Sequence, residues 1–322
     1  MDKDFFIFDY EKDLLLVDSL LESMSIAHKQ VKKSEEWFMW KFRDNPFGKS
    51  ILACAKRDGK IIGCVAYGIQ NFSIENKVII GAKSFETFVH PDYQGYGIFS
   101  ELIKISENAA SARGIALLMN FPNLKSLKGF KNMGWSQVNI CEYWMKVSNP
   151  LKVFLNYKQL KLPFISSKFN NEKVEVGCDF DIESIGYKGD FLQTIITNDY
   201  LRWRFTTLPD SRYITINVCG LFSIARIGTR GNLIELQVLF SAFMTNDAFN
   251  VLKLKNEYKK KVDFDILSFP ISKENPIKNK LKRALYLKVP NSTNMCYKIL
   301  NPELETIKKS KIILNAINFH TY

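Results

Sequence analysis

Apolar residues recur at helical spacing at Leu14, Val17, Leu20, Leu21 and Met24, so residues 13–24 are predicted to form an amphipathic helix. A second helix is expected over 34–42. Ser34 stands where an N-cap belongs, Glu35 and Glu36 fill the first turn, and Asn45-Pro46-Phe47-Gly48 ends it. The pattern then changes to continuous apolar runs. Ile51–Lys56 and Lys60–Gln70 flank Arg57-Asp58-Gly59, a good hairpin turn, and Val78–Val89 is a third strand, expected to bend near Gly81. After His90-Pro91 a loop with two glycines leads into a helix over 98–112 that Gly114 closes. Ile115–Asn120 reads as a buried strand, 124–133 as a helix stopped by Gly134, and Trp135–Val147 as a strand pair or one long strand. This order predicts an α/β (α+β) domain on a mixed, mostly antiparallel sheet with helices on both faces.

Periodicity weakens from Asn149-Pro150 to about residue 172, a stretch that holds Pro163 and Ser166-Ser167. A linker is placed at 150–172, between a domain over 1–149 and another over 173–322. The second half echoes the first: Trp37-Phe-Met-Trp40-Lys41-Phe42-Arg-Asp-Asn-Pro46 against Tyr200-Leu-Arg-Trp203-Arg204-Phe205-Thr-Thr-Leu-Pro209. Each segment precedes a strand, Ile51–Lys56 or Tyr213–Cys219. In the second half Leu221–Gly228, Leu233–Phe240, a helix near 246–260 and a strand near 263–269 continue the parallel. Duplication is the expectation.

Composition narrows the field. Hydrophobic residues make up 46% of the 322, enough for real cores, and the chain has no apolar run long enough to span a membrane. The N-terminus does not read as a secretory signal, so a cytoplasmic protein is expected. The six cysteines form no CxxC pair and read as buried thiols; the three histidines are too scattered for a metal site, and no metal is expected. The net charge of +12 is uneven: 19 Lys+Arg against 17 Asp+Glu in residues 1–150, and 26 against 16 thereafter. The runs Lys253–Lys261 and Lys278–Arg283 are either solvated helix surface or a surface for an anionic substrate, carrier or membrane. Nothing in the aromatic or zinc-finger patterning favours nucleic acid.

The informative segment runs from Glu86 to Leu102. A strand ends, Gln94-Gly95-Tyr96-Gly97 turns, and a helix begins at Ile98-Phe99-Ser100. Backbone amides at such a turn converge on one spot, and the helix dipole adds positive potential there, which suits a diphosphate. The dinucleotide fingerprint and the P-loop both fail, for want of a third glycine and of Lys-Ser/Thr. The segment resembles the pyrophosphate loop of the GNAT superfamily of N-acetyltransferases, Gln/Arg-x-x-Gly-x-Gly/Ala after a strand ending in Val-x-Pro. Val89-His90-Pro91, Gln94 and Gly97 match, and Phe99 replaces the last small residue. A second marker of that superfamily is kept by Asn123, Ser126, Phe130, Gly134 and Trp135.

The resemblance implies acetyl-CoA as donor. Pantetheine would pair with Phe88 and Val89, the amides of Gln94, Gly95, Tyr96, Gly97, Ile98, Phe99 and Ser100 would hold the diphosphate, and Asn123 would lie near the thioester. An amine attacks the thioester carbonyl after losing a proton, with a backbone N–H, that of Val89, to stabilise the oxyanion. Glu86 is the candidate base; its alternative is an ordinary solvent-facing or ion-paired strand residue. Phe130 holds the position of the superfamily's frequent tyrosine acid, so either Tyr143 or a water takes that role or the thiolate leaves unassisted. Trp37, Trp40, Asn45 and Trp144 either line the acceptor pocket or pack the core. The second half has Ser241-Ala-Phe-Met-Thr-Asn-Asp247 where a pyrophosphate loop would fall, which implies a degenerate GNAT-like repeat that completes the acceptor pocket or forms a homodimer surface.

The leading function is acetyl transfer to a small-molecule primary amine, an amino sugar of bacterial surface-polysaccharide biosynthesis. The alternatives are transfer of a longer acyl chain from CoA or an acidic carrier protein, and a non-catalytic acyl-CoA-binding module.

Overall fold

The computed structural model describes residues 4–75, 77–158, 191–207, 213–218, 220–243, 249–290, 293–302, 304 and 311–319. In chain order the elements are β1 (Asp4–Ile7), α1 (Val17–His28), α2 (Glu35–Phe38), β2 (Ile51–Arg57), β3 (Lys60–Ile74), β4 (Lys77–Val89), α3 (Ile98–Ala112), β5 (Leu117–Asn120), α4 (Leu124–Asn132), β6 (Ser136–Val138) and β7 (Cys141–Val147). There follow α5 (Pro150–Tyr157), β8 (Phe191–Thr194), α6 (Asn198–Thr206), β9 (Tyr213–Val218), β10 (Leu221–Arg230), β11 (Leu233–Phe243), α7 (Phe249–Lys261), β12 (Ile266–Ser272), α8 (Ile277–Arg283), β13 (Leu287–Val289), β14 (Met295–Ile299), β15 (Lys311–Ile313) and α9 (Ala316–Phe319).

Two compact units result, one of 1–139 with 293–310 and one of 140–292 with 311–322. The first unit's sheet runs β1-β2-β3-β4-β5-β14-β6. Its β2–β3 hairpin turns at Asp58 and Gly59, both at positive φ, as the Asp-Gly pair predicts. One face of the sheet meets α3. Ile98, Leu102, Ile103 and Ala110 pack with Ile51, Ala53, Ala55, Val65, Tyr67, Phe130 and Trp135. Each large apolar side chain buried there contributes about 1.5–3 kcal/mol. The other face is covered by α1 and α2. Leu20, Leu21 and Met24 are buried, and Phe8, Phe38, Phe42 and Phe85 form a chain of ring contacts. Ser34 caps α2 by accepting from Trp37 N at 3.2 Å.

The second sheet runs β9-β10-β11-β12-β7-β13. Antiparallel strands, four in the first unit and three in the second, are followed in each by a parallel neighbour, then by two further antiparallel steps. The strand that completes each sheet comes from a distant stretch of chain. β14 inserts between β5 and β6, with Cys296 opposite Asn120 and Gln137, while β7 inserts between β12 and β13. Lys298 on β14 fixes this insertion by binding Glu107 at 2.7 Å and the Met133 carbonyl at 2.9 Å.

Three expectations are corrected. Trp135–Val147 is neither a strand pair nor one strand, because β6 and β7 pair in different sheets. The register of β4, in which a bend was expected near Gly81, shifts further along: its ladder with β3 is regular from Lys77 to Phe85 and breaks at Glu86 and Thr87, which together oppose Val65. β1, with no counterpart in the sequence reading, pairs along β2. Of the stretch read as a linker, α5 takes 150–157, and 159–172 lies outside the described residues, as do 244–247 of the segment after β11.

The strand insertion generates a prediction. A fragment of residues 1–149 lacks β14 and exposes the β5 and β6 edges, so it is expected to aggregate or to melt without cooperativity by circular dichroism. Supplying residues 293–300 by fusion should restore a cooperative transition. A fragment that melts like the full chain without them would refute the dependence.

Candidate active site

The site begins where β4 leaves β5. Their parallel ladder covers Gly81–Lys83 against Leu117–Met119, and β4 continues to Val89 with β3 alone in register beside it. The bulge at Glu86 and Thr87 turns the strand at this point, with Glu86 held at φ 42°. Past the bulge, His90 N donates to Ile62 O at 2.8 Å. Antiparallel alternation then aims the Phe88 backbone at β3 and the Val89 N–H and C=O at the open side. Of the two residues expected to offer backbone there, the alternation selects Val89. Its carbonyl accepts from Gln94 Nε2 at 3.2 Å, which ties the loop to the strand end.

The loop follows as a 3-10 turn over Pro91–Tyr93, then Gly95 at φ 84° and Gly97 at φ 75°. Gly97 is the N-cap of α3, and no side chain caps it. A Cβ on Gly95 or Gly97 would meet no atom within 4 Å. It is therefore backbone conformation, and not crowding, that favours glycine, and the space in front of the turn is open. Gln94, Gly95, Tyr96, Gly97 and Ser100 are exposed, while Ile98 is buried and anchors the first turn. The first backbone bond of the helix runs from Glu101 N to Gly97 O. Amides at such an uncapped end point outward with the positive end of the dipole. Phe99, which departs from the small-residue pattern, turns its ring onto α4, against Gly129 and edge-on to Phe130 at 5.4 Å. Phe130 is itself buried against Trp135.

Behind Val89 lies a cluster of charge. Lys41, in a π-helical turn over Met39–Arg43, is fully buried and forms an ion pair with Glu86 Oε1. Its ammonium also lies 4.5 Å from the Trp37 ring centroid and 5.3 Å from that of Phe85. His28, at the end of α1, brings Nε2 to 3.4 Å from Glu86 Oε2, a close approach without hydrogen-bond alignment. Burial alone would raise the Glu86 pKa, but the Lys41 ammonium and then His28 outweigh it and hold the carboxyl at about 2. Glu86 is therefore ionised and ion-paired at neutral pH.

The remaining residues singled out in the sequence fall elsewhere. Trp37 and Trp40 are buried. Asn45 is buried too, donating to Ile69 O at 2.9 Å and accepting from Phe47 N at 3.0 Å. Asn123 caps α4, its Oδ1 accepting from Lys125 N and Ser126 N, both at 3.0 Å. Tyr143 and Trp144 sit on β7 in the second unit. The Tyr143 hydroxyl bonds the Glu235 carboxylate, and at 2.8 Å accepts from Gln237 Nε2. Burial, and then the Glu235 charge, raises the Tyr143 pKa. Trp144 packs in the second core and donates to Glu142 at 3.0 Å. The sequence reading missed Lys41 and His28. A lysine amid Trp37, Phe38, Trp40 and Phe42 was a usable signal, since a buried ammonium needs an anion. Among the described residues no cluster of His, Cys, Asp or Glu is placed to hold a metal, and no helix is long and apolar enough to cross a membrane.

Known proteins can now be set beside this geometry. Residues 15–135, which contain the bulge, the loop and the charge cluster, match the Acetyltransferase (GNAT) family. This segment is a GNAT acetyltransferase domain. Among solved structures the chain is similar to a GCN5-related N-acetyltransferase from Anabaena variabilis, with TM-score 0.61 and 11% identity over 93% of this chain and 73% of that one. A probable N-acyltransferase from Enterococcus faecalis gives TM-score 0.61 and 11% identity over 94% and 73%, and Eis1 from Mycobacterium abscessus gives 0.56 and 10% over 94% and 75%. These likenesses describe the fold. No curated protein matches the chain in sequence. The GNAT domain supplies acyl transfer to an amine as the class of chemistry.

The charge cluster generates two predictions. Lys41→Met leaves Glu86 buried without its cation and should cost about 3–5 kcal/mol of stability, measured by urea denaturation. The depressed Glu86 pKa contributes stability that is complete above the ordinary carboxylate range and lost as pH falls from about 4 through about 2. Denaturation midpoints should fall over that window, and Glu86→Gln should flatten the slope.

Proposed function

We propose that the GNAT domain transfers an acetyl group from acetyl-CoA to a primary amine. The observation that carries the reading is the open backbone edge of Val89 beside the uncapped start of α3. A β-strand edge suits the amide-bearing pantetheine arm, and an uncapped helix N-terminus preceded by two glycines suits a diphosphate. The exposed amides from Gln94 to Ser100 would hold that diphosphate, and Phe99 leaves the space free by turning its ring onto α4. Val89 N–H, aimed at the open side, is our candidate for stabilising the oxyanion. The buried Lys41–Glu86 pair with His28 favours an enzyme over a binding module, since holding a desolvated ion pair beside the strand edge adds nothing to binding CoA alone.

An amino sugar is the acceptor class we propose, on the resemblance of the tandem pattern. Trp37, Trp40 and Trp144 are buried and pack as core, so they are not offered as its binding surface. For the second unit we propose a GNAT-like repeat without the pyrophosphate motif. Its support is the shared strand order, a bulge at Leu239 of β11 in the place of the β4 bulge, and a buried Arg204 between Trp203 and Phe205 where Lys41 stands between Trp40 and Phe42. The donor sets the cytoplasm as the compartment.

Gly97→Asp places a carboxylate at the diphosphate position. It should abolish acetyl-CoA binding in isothermal titration calorimetry while the far-ultraviolet circular dichroism stays unchanged, because aspartate is among the residues that tolerate left-handed φ. Wild-type affinity in a folded Gly97→Asp variant would falsify the loop assignment.

A further inference from the structure

We propose that His28, and not Glu86, is the base that removes the proton from the acceptor amine, with Glu86 as its positioning residue. The proposal rests on the acetyltransferase reading above. It starts from the division of labour the geometry imposes. Glu86 is 15% exposed and gives one oxygen to the fully buried Lys41 and the other to His28. Its charge is thereby held in place, and the strongly depressed pKa makes it a weak proton acceptor at neutral pH. His28 keeps 30% exposure, so of the three groups in the chain Lys41–Glu86–His28 it is the one that solvent or a substrate reaches most readily. Its ring lies 6.0 Å from the Phe88 ring in edge-to-face contact, which sets it over the part of β4 that ends at Val89. With its Nε2 3.4 Å from this fixed carboxylate, the imidazole turns its other nitrogen away from Glu86, where it is left to accept.

The charged and titratable groups around His28 are few. β4 contributes Glu86, the π-helical turn Lys41, and β3 the buried thiol Cys64, whose pKa is pushed up by its burial. Glu35 and Glu36 of α2 are exposed to solvent. The strain at Glu86 fits the same role. A non-glycine residue at φ 42° on a bulge directs its carboxylate away from the regular pleat, toward the end of α1 where His28 sits.

In the reaction, the ammonium form of the acceptor gives one proton to His28. The neutral amine attacks the thioester carbonyl, forming the C–N bond and an oxyanion. Collapse breaks the C–S bond, the second amine proton goes to the departing thiolate, and His28 releases its proton to solvent. The net change is amide, CoA thiol and one proton from ammonium and acetyl-CoA, with no redox step.

The test uses the full chain and follows thiol release from acetyl-CoA with a panel of amino sugars, amino acids and peptide N-termini, alongside acetyl-CoA calorimetry. His28→Gln should lower kcat/KM at pH 7 by about 10²-fold with acetyl-CoA affinity unchanged, and the deficit should shrink as pH approaches the amine's own pKa. His28→Ala should recover at least about tenfold on adding imidazole, a response that a packing role does not produce. If His28→Gln keeps wild-type rates, or if its loss is equal at every pH and imidazole does not rescue His28→Ala, the proposal is overturned while the transferase reading stands. Failure of the wild type to bind acetyl-CoA, or binding with no thiol release for any amine, overturns the transferase reading and this proposal with it.

Discussion

The bulge at Glu86 and Thr87 is the constraint on which the site depends. Inserting one residue into β4 against Val65 does three things at once. It lets β4 run past the end of its short ladder with β5, so a strand edge stays open beside Val89. It aims the strand end at the turn that starts α3. It also lifts Glu86 out of the pleat, where Lys41 pairs with it and His28 lies beside it. Backbone strain at φ 42° is tolerated there because an ion pair in a nearly dry environment compensates it. The open strand edge and the charge cluster are thus two faces of one irregularity.

This coupling explains why the aromatic residues of the first two helices are packed inward. Trp37 and Phe85 lie against the Lys41 ammonium, and Phe38, Trp40 and Phe42 are buried in the same helical segment. The π-helical turn over Met39–Arg43 carries Trp40, Lys41 and Phe42, all three of them buried.

Local structure was legible where it has a local cause. The Ser34 cap, the Asp58-Gly59 hairpin and the bounds of α3 follow from cap, turn and period alone. The loop from Gln94 to Ser100 was equally readable, since glycines ahead of an amphipathic helix leave few alternatives. What escaped was non-local. Nothing in residues 136–147 says that β6 and β7 belong to different sheets, because strand pairing is decided by partners more than a hundred residues away. A bend was expected near Gly81 because glycine is the residue that readily bends a strand, whereas the bulge sits at a glutamate sustained by its partners. Trp37, Trp40 and Asn45 look alike as pocket lining or as core until burial is known. Lys41 and His28 became meaningful once the fold brought them to Glu86.

The exchange of β7 and β14 has a consequence for biosynthesis. A nascent chain that has reached Val138 holds nearly all of its first sheet, yet the gap between β5 and β6 stays empty until Met295 to Ile299 leave the ribosome. At roughly 5–20 residues per second that interval lasts on the order of 10–30 s. Throughout it, two unpaired strand edges flank the acetyltransferase segment, so maturation of the N-terminal half is timed by translation of the C-terminal half. Neither half can be inherited, recombined or degraded as a separate module without breaking the other's sheet.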